Sequence, residues 1–309
     1  MIVVSGEALV DLVPRPQSDN LYEAILGGSP YNVAIGLGRL GAPVAFAGRL
    51  STDANGDRFA AALTRDGVGL QFVERTREPT PLALVAPGTA ASGPRYAFYL
   101  RGTAYDGHPP LPSHWPPSIV HLHTGSIAAL DGASGIATLL ALRAARGHSS
   151  TSFDPNIRPV ILPERDSVLP LVEERVGLST FVRASEEDLQ WLYPDRAPEA
   201  SAAEWATLGP QFVILTRGAA GAQAFIGADQ ISVAAPRVEV VDTIGAGDSF
   251  TAALIAAMLD DRALGPEAPA PTLDGVRRWL EFACKVAAIT SSRKGADPPR
   301  RSELVSGLK

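Results

Sequence analysis

The chain has 309 residues, of which 46% are hydrophobic and 19% charged, and its net charge is −6 at pH 7. This composition excludes a disordered chain, because it supplies enough apolar surface for a buried core. The acidic balance also argues against broad contact with a nucleic-acid backbone, which requires clustered lysine and arginine. We therefore expect a folded protein with no nucleic-acid partner.

The sequence features that report on cellular location agree with one another. The one cysteine, Cys284, excludes an intrachain disulfide and favours a reducing compartment. The N-terminal segment lacks a basic region and a long apolar run, so we expect no secretory signal. No stretch approaches the roughly 18 consecutive apolar residues of a membrane span. We expect a cytoplasmic protein without a membrane partner.

Short apolar runs alternate with segments of helical spacing along most of the chain. Strands are predicted at 1–4, 8–13, 44–47, 82–86, 95–100, 119–123, 151–154, 180–182, 212–216, 231–233 and 238–241, the last two as a hairpin or edge pair. Helices are predicted at 31–40, 57–66, 132–146, 165–176, 186–192, 246–259 and 273–292. Because apolar strands alternate with helices, the pattern predicts a mostly parallel sheet covered on both faces.

Two β-rich stretches, about 8–26 and 80–105, interrupt this alternation. Turn residues dominate 87–93, and five prolines in 108–117 exclude a helix or a central strand there. We therefore predict a small separate sheet, such as a lid, formed by the two stretches.

The segment 242–250 reads DTIGAGDSF and precedes a predicted helix. Gly245 and Gly247 let the backbone approach a ligand closely, and a helix N-terminus adds unpaired N–H groups that favour an anion. Asp248 would lie beside that anion, as is required of a base that removes a proton from a hydroxyl attacking a phosphate. The alternative is a glycine turn in which the aspartate caps the helix.

The same nine residues resemble the C-terminal signature of the PfkB (ribokinase-like) carbohydrate kinases. GGSPYNVAIGLGRLG at 27–41 resembles the family's N-terminal signature, LTRGAAGA at 215–222 its nucleotide turn, and RKGADPP at 293–299 its nucleotide and cation loop. These four elements occur in family order across nearly the whole chain. The resemblance implies a single catalytic domain over 1–309, an α/β three-layer sandwich with a mostly parallel central sheet and a small β-sheet lid.

By resemblance, the chain is an ATP-dependent sugar kinase. Asp248 is the implied base, and the amides of Gly245, Ala246, Gly247 and Asp248 form the implied anion hole. The positions that match sugar-binding residues are Asp11, Gly28 and Asn32, and two arginines, Arg101 and Arg158, could reach the sugar or a phosphate. From the residues alone, Asn32 could instead be a helix cap, Asp11 a turn residue, Arg158 a surface ion pair and Arg101 a solvated lid charge.

The resemblance also implies a nucleotide site and a cation site. The nucleotide residues would be Ser185, Thr216, Gly218, Gly221 and Cys284, although the turn residues could form a plain strand connection. A monovalent cation, such as K⁺, would be held by Asp242 and the carbonyls of Ile244, Arg293 and Gly295, because hard cations prefer oxygen ligands. Mg²⁺ would arrive with ATP, and Asp188 would act on it indirectly.

Two positions depart from the family pattern. Ser185-Glu186-Glu187-Asp188 replaces the usual Asn-x-x-Glu. Any metal-coupled role there would depend on Asp188, whose side chain is shorter than that of the usual glutamate. Cys284 stands where some members place an asparagine near adenine, and a buried core cysteine is the alternative.

Three further segments indicate which sugar accepts the phosphate. GEALVDL at 6–12, GGSP at 27–30 and DPNIRP at 154–159 look most like bacterial fructokinases, which convert fructose to fructose 6-phosphate. The alternatives are a 2-keto-3-deoxygluconate kinase, a ribokinase or nucleoside kinase, and, from a different class, a non-catalytic sugar-binding sensor. A homodimer through the lid is a further expectation from the family.

Two other patterns are set aside. Residues 36–41 satisfy G-x-G-x-x-G, but they fall in the second half of a predicted helix rather than between a strand and a helix. His121 and His123 share one face of a strand, where a core or cleft-lining role is favoured over zinc binding.

Overall fold

The computed structural model describes residues 1–15, 21–86, 95–112, 115–162 and 164–305. Within these ranges the strands are β1 (Ile2–Ser5), β2 (Leu9–Pro14), β3 (Tyr22–Gly27), β4 (Val44–Ser51), β5 (Gly69–Thr76), β6 (Leu82–Ala86), β7 (Arg95–Tyr99), β8 (His121–Gly125), β9 (Ser150–Asp154), β10 (Phe181–Ser185), β11 (Phe212–Thr216), β12 (Ala222–Ile226) and β13 (Asp229–Val233). The helices are α1 (Ser29–Arg39), α2 (Ala54–Arg65), α3 (Ser126–Leu130), α4 (Gly132–Ala145), α5 (Arg165–Leu178), α6 (Glu186–Leu192), α7 (Pro198–Trp205), α8 (Ala246–Asp260), α9 (Leu273–Ser291) and α10 (Arg301–Val305).

The main sheet has nine strands in the order β13-β12-β11-β10-β9-β8-β1-β4-β5. All neighbouring pairs from β5 to β11 are parallel, and the two pairs at one edge, β11–β12 and β12–β13, are antiparallel. Every residue of β1, β8, β9 and β11 is buried, as expected for parallel strands covered on both faces. The predicted mostly parallel sheet is confirmed.

Helices cover the two faces of this sheet. Ile2 and Val4 of β1 point into a core shared with α1, α2, α8 and α9, whereas Val3 points into the opposite core with α4. Further along the sheet, Val213 and Leu215 of β11 pack with α5, α6 and α7 on that second face. Since alternate residues of a strand face opposite sides, this arrangement gives the predicted three-layer sandwich.

A second sheet has the strand order β3-β2-β6-β7. Strands β2 and β6 pair in parallel, and the two outer pairs are antiparallel. This small sheet is built from the two stretches that were predicted to form a lid. The turn-rich linker 87–93 and residues 113–114 of the proline-rich segment lie outside the described residues.

The predicted strand at 238–241 is wrong. Strand β13 pairs with β12 instead, and the N–H groups of Val241 and Asp242 donate to the carbonyl of Ser291 at the end of α9. The run of valines carries a strand signal, but Val240 and Val241 are exposed and their backbone follows a helix end. Sequence reasoning also missed β5, β12, α3, α7 and α10.

Two smaller expectations can be compared with the structure. Residues 36–39 of the G-x-G-x-x-G pattern lie inside α1, as predicted. Across the described ranges, no helix combines the length and apolar character that crossing a membrane requires.

Candidate active site

The glycine turn that begins α8 has the backbone needed for an anion site. Gly245 adopts φ +74°, and a side chain there would overlap Ala296 of the neighbouring loop. Helix α8 begins at Ala246, so the amides of Gly247 and Asp248 lie in its first turn, where a helix offers no internal acceptor. These N–H groups and the positive end of the helix dipole favour a bound phosphate.

Asp248 is held at this turn by two side chains of α1. Ser29 Oγ donates to Asp248 Oδ1 at 2.6 Å, and Asn32 Nδ2 donates to Asp248 Oδ2 at 2.8 Å. Burial raises the pKa of Asp248, while the two hydrogen bonds and the charges of Arg158 and Arg183 oppose that rise. A raised pKa brings a carboxylate closer to the working range of a general base.

Of the predicted sugar-binding residues, Asn32 contacts Asp248 directly, and Gly28 directly precedes Ser29, the other partner of Asp248. Gly28 precedes α1 with φ +106°, and a Cβ there would lie 2.6 Å from the carbonyl oxygen of Glu7. Asn32 follows within the first turn of α1, so the helix-cap alternative is wrong. Asp11 lies within β2, against Gly27, and not in a turn. Burial raises the pKa of Asp11 to about 6, although the positive charge of Arg158 opposes this.

The two predicted arginines are in different surroundings. Arg158 is exposed and forms no ion pair with the described residues, yet its charge acts on Asp11 and Asp248. Arg101 follows β7 and binds Asp131 through two contacts of 3.1 and 3.0 Å, with Asp106 at 3.2 Å. Among the described residues Arg158 therefore has no ion-pair partner, whereas Arg101, with a side chain 68% exposed, is a solvated charge paired with two aspartates.

A cleft of about 790 Å³ lies beside the glycine turn. Its lining includes all five predicted nucleotide residues, Ser185, Thr216, Gly218, Gly221 and Cys284, together with Ala246 and Gly247. Cys284 is both a buried residue of α9 and a wall of the cleft. The anion-binding turn is therefore part of the cleft wall.

Asp188 does not line this cleft. Its Oδ2 accepts from the backbone and hydroxyl of Ser185, and its Oδ1 accepts from the Ile157 amide at 2.7 Å. With Ser185 it forms a reciprocal cap at the start of α6. Both carboxylate oxygens are thus used within the fold, and its indirect role toward magnesium stays a prediction.

The four predicted cation residues lie on two adjoining loops. Asp242 Oδ1 accepts from the Ile244 amide at 3.0 Å, and its Oδ2 accepts from the Gly295 amide at 2.9 Å. This carboxylate ties the glycine turn to the loop that contains Arg293 and Gly295. The loops are therefore next to each other, and the ion itself stays a prediction.

Sequence reasoning missed Arg183, Ser29 and Glu7. Arg183 pairs with Asp154 and contacts Gly247, and Ser29 binds Asp248 directly. Glu7 is buried, accepts from the Ala128 amide, and its charge reaches Asp248. Arg183 had one local signal, since it lies near the end of a parallel strand, where α/β proteins place ligand contacts.

The fold and this site define a class of phosphotransferase: a three-layer α/β protein with a large cleft, an anion-binding turn in the cleft wall and a half-buried carboxylate in that turn. The family model described as "pfkB family carbohydrate kinase" matches residues 1–303. The chain therefore belongs to the pfkB family of carbohydrate kinases, and the resemblance drawn from the four motifs is confirmed.

Similar proteins include several fructokinases. The fructokinase of Rhizobium leguminosarum bv. trifolii is 33% identical over 271 residues, which cover 85% of this chain and 81% of the relative. The structure of Xylella fastidiosa fructokinase with bound ATP has a TM-score of 0.84 and 25% identity, covering 99% of this chain and 97% of that chain. Vibrio cholerae O395 fructokinase in its fructose, ADP and calcium ion bound form has a TM-score of 0.82 and 26% identity, covering 100% of this chain and 98% of that one.

Proposed function

We propose that this chain is an ATP-dependent fructokinase that converts fructose to fructose 6-phosphate. The observation that carries the proposal is the position of Asp248. Its carboxylate belongs to the turn whose residues Ala246 and Gly247 line the large cleft, and it is hydrogen-bonded by Ser29 and Asn32 of α1. The fructokinase relatives from Rhizobium, Xylella and Vibrio support fructose and ATP as the substrates.

In the proposed reaction, fructose binds beside Asp11, Gly28 and Asn32, and ATP occupies the cleft. The primary hydroxyl oxygen attacks the γ-phosphorus, the bond to the β,γ-bridging oxygen breaks, and Asp248 accepts the hydroxyl proton. The amides of residues 245–248 donate to the oxygens of the phosphoryl group in transfer. Arg158 adds positive charge on the sugar side.

Two cations belong to this proposal. Mg²⁺ bound to ATP would neutralise phosphate charge, with Asp188 acting only at a distance because its oxygens already bind Ser185 and Ile157. A monovalent cation such as K⁺ fits the donor set of Asp242 and the loop carbonyls of Ile244, Arg293 and Gly295, which the Asp242 carboxylate keeps adjacent. That ion would stabilise the loops beside the anion hole.

A second candidate is a 2-keto-3-deoxygluconate kinase, favoured by one observation. Arg158 has no ion-pair partner among the described residues and could bind the carboxylate of an acidic sugar. Fructose is neutral and does not require this charge.

A coupled assay of ADP release separates the candidates. The panel contains fructose, 2-keto-3-deoxygluconate, ribose and a purine nucleoside, each with Mg·ATP, in K⁺ or Na⁺ buffer. We expect the highest kcat/KM for fructose, with phosphate on O6 in the product. A higher kcat/KM for the keto-acid sugar would select the second candidate, and turnover of none of them would reject a kinase function.

The assembly and location are also proposals. The lid exposes Leu21, Tyr22 and Tyr99, and a homodimer through this sheet would cover them. Light scattering at micromolar concentration tests it, since Tyr99→Asp should shift a dimer to monomer. We place the enzyme in the cytoplasm, where ATP is available and Cys284 stays reduced.

A further inference from the structure

Three neighbouring strands of the main sheet converge on the guanidinium of Arg183. Arg183 lies on β10, and its side chain is 11% exposed. Its Nη1 donates to Asp154 Oδ2, at the end of β9, at 3.0 Å, and its Nη2 donates to Thr216 Oγ1, at the end of β11, at 2.6 Å. Asp154 is 2% exposed, so this ion pair is held within the fold.

The same guanidinium lies against the anion-binding turn. A Cβ on Gly247 would be 2.9 Å from Arg183 Nη2 and 3.1 Å from Nη1. A side chain at position 247 would therefore displace the guanidinium, and glycine permits the contact. Arg183 also lines the large cleft, with Thr216 and Gly218.

The hydrogen bonds of Arg183 are incomplete. A guanidinium has five N–H donors, and the described residues accept two of them, at Asp154 and Thr216. Its Nε is buried without a partner. Buried donors are rarely left unpaired, and a buried ion pair by itself is weak evidence for a stabilising role. Because the guanidinium also lines the cleft and lies against Gly247, its remaining donors are placed to bind an acceptor there.

We propose that Arg183 is a catalytic residue of this kinase, whose guanidinium donates to the oxygens of the γ-phosphoryl group while it is transferred. The inference rests on the proposed function and extends it by one residue. The sugar oxygen forms its bond to the γ-phosphorus, the bridging oxygen leaves with ADP, and the proton goes to Asp248. Arg183 keeps its own protons and balances the negative charge next to the 245–248 amides.

The test uses three variants of the full-length enzyme: Arg183→Gln, Arg183→Lys and Arg183→Gly. For Arg183→Gln we expect kcat to fall by about 10²–10³, as when one donor to a transition-state oxyanion is removed. The KM for sugar and the calorimetric Kd of ADP should change far less. The Kd of ADP with aluminium fluoride and sugar, which mimics the phosphoryl in transfer, should weaken in parallel with kcat. Arg183→Lys should recover only part of the rate, because lysine lacks the planar fork.

Chemical rescue gives a second measurement. Low millimolar guanidinium chloride should raise kcat of Arg183→Gly, and it should leave kcat of Asp248→Asn unchanged. Rescue of both variants, or of neither, would overturn the proposed role.

Arg175 is the matched control for losing a buried arginine. It is 2% exposed, donates to the carbonyls of Leu171 and Gly135, and also has a buried Nε without a partner, but it lies on α5 and does not line the cleft. Arg175→Gln should lower Tm and leave kcat per folded molecule unchanged. If Arg183→Gln behaved in the same way, Arg183 would be structural and the proposal wrong. If the wild-type enzyme phosphorylated no sugar of the panel, the proposed function would fail first and this inference with it.

Discussion

Asn32 and Asp248 lie 216 positions apart in the chain, and Asn32 Nδ2 donates a 2.8 Å hydrogen bond to Asp248 Oδ2. Ser29 Oγ binds the other carboxylate oxygen from the same helix. Because α1 provides both donors and α8 the acceptor, the packing of these two helices sets the direction of the carboxylate. Substitution of Asp248, Asn32 or Ser29 should therefore alter catalysis.

Asp248→Asn should remove the base and keep the shape of the site. We expect kcat to fall by about 10²–10⁴, the usual contribution of a general base, while fructose still binds. Initial rates and calorimetric titration of fructose measure the two quantities. A non-catalytic sugar sensor would bind fructose equally well as wild type and as this variant. Equal turnover of fructose by Asp248→Asn and wild type would therefore contradict the kinase mechanism.

Asn32→Ala should impair catalysis by releasing one oxygen of Asp248. A misplaced catalytic group can cost about 10²-fold in rate, so we expect kcat/KM for fructose to fall by about 10–100-fold. Asn55→Ala is the control, since the one side-chain partner of Asn55 among the described residues is Arg58, its neighbour on α2. Equal kinetics for the two variants would show that the Asn32 contact has no role in the reaction.

The pH profile should respond to Ser29. Burial raises the pKa of Asp248, and the Ser29 hydroxyl lowers it by stabilising the ionised form. Since the base must be ionised, kcat/KM should fall as pH decreases through this pKa. In Ser29→Ala the stabilising bond is lost, so the acid limb should move to higher pH. A limb that stayed in place, or moved to lower pH, would exclude Asp248 as the group that titrates.

Glu7 should make stability depend on pH. Burial raises its pKa from 4.5 to about 7, although hydrogen bonds from its own backbone, Ser126 and Ala128 oppose this. The folded state therefore binds the proton more tightly than the unfolded state, and stability is lost as pH rises from 4.5 through 7. Glu7→Gln has no such ionisation. The free energy of unfolding of Glu7→Gln minus that of wild type should therefore become more positive as pH rises over that range, by at most about 3 kcal/mol. Denaturant titrations of both proteins at pH 5 and pH 8 measure this difference. The same difference in unfolding free energy between variant and wild type at both pH values would contradict the prediction.

Asp53 should stabilise the junction between α2 and the lid. Its Oδ1 accepts from the Gly56 amide and the Thr80 hydroxyl, and its Oδ2 from the Thr80 amide. Burial alone would raise its pKa, but these hydrogen bonds lower it to about 2. Asp53→Ala should cost about 1–3 kcal/mol, from a lost helix cap and an unpaired amide.

Asp57→Ala is the matched control for that loss. Asp57 lies in the same first turn of α2, but its side chain is 68% exposed and its partner is Arg75 at the surface. We expect a change below about 1 kcal/mol, as for other exposed ion pairs. Denaturant unfolding compares the two variants, and equal losses would mean that the Asp53 contacts to Thr80 contribute nothing.

Local patterns explain why part of the fold was predictable. Strand β11 and helix α6 were predicted with their observed bounds, because each has a clear apolar pattern and a distinct start. Strand β5 was missed since it lies at the edge of the sheet, partly exposed, with polar residues among its apolar ones. The valines at 238–241 were misassigned because sequence alone does not show that their amides bind the end of α9.

In the candidate site, too, residues within one continuous motif were predictable and residues brought together from distant segments were not. The glycine turn and the start of α1 are continuous segments, so their residues could be named in advance. Arg183 had only its place near a strand end as a local signal, because its partners Asp154 and Thr216 are 29 and 33 positions away on other strands. The order of strands in the sheet brings the three together, and that order is absent from any short segment.

Cys284 has a practical consequence for observing the enzyme at work. It is the only sulfhydryl in the chain, it is 4% exposed, and burial raises its pKa to about 11. The protonated thiol reacts slowly with electrophiles, so the native protein carries almost no labelling background. Tyr99, on the outer lid strand, is 58% exposed. A fluorophore attached through Tyr99→Cys would therefore report whether this face of the small sheet becomes covered, as in the proposed dimer, without removal of the native cysteine.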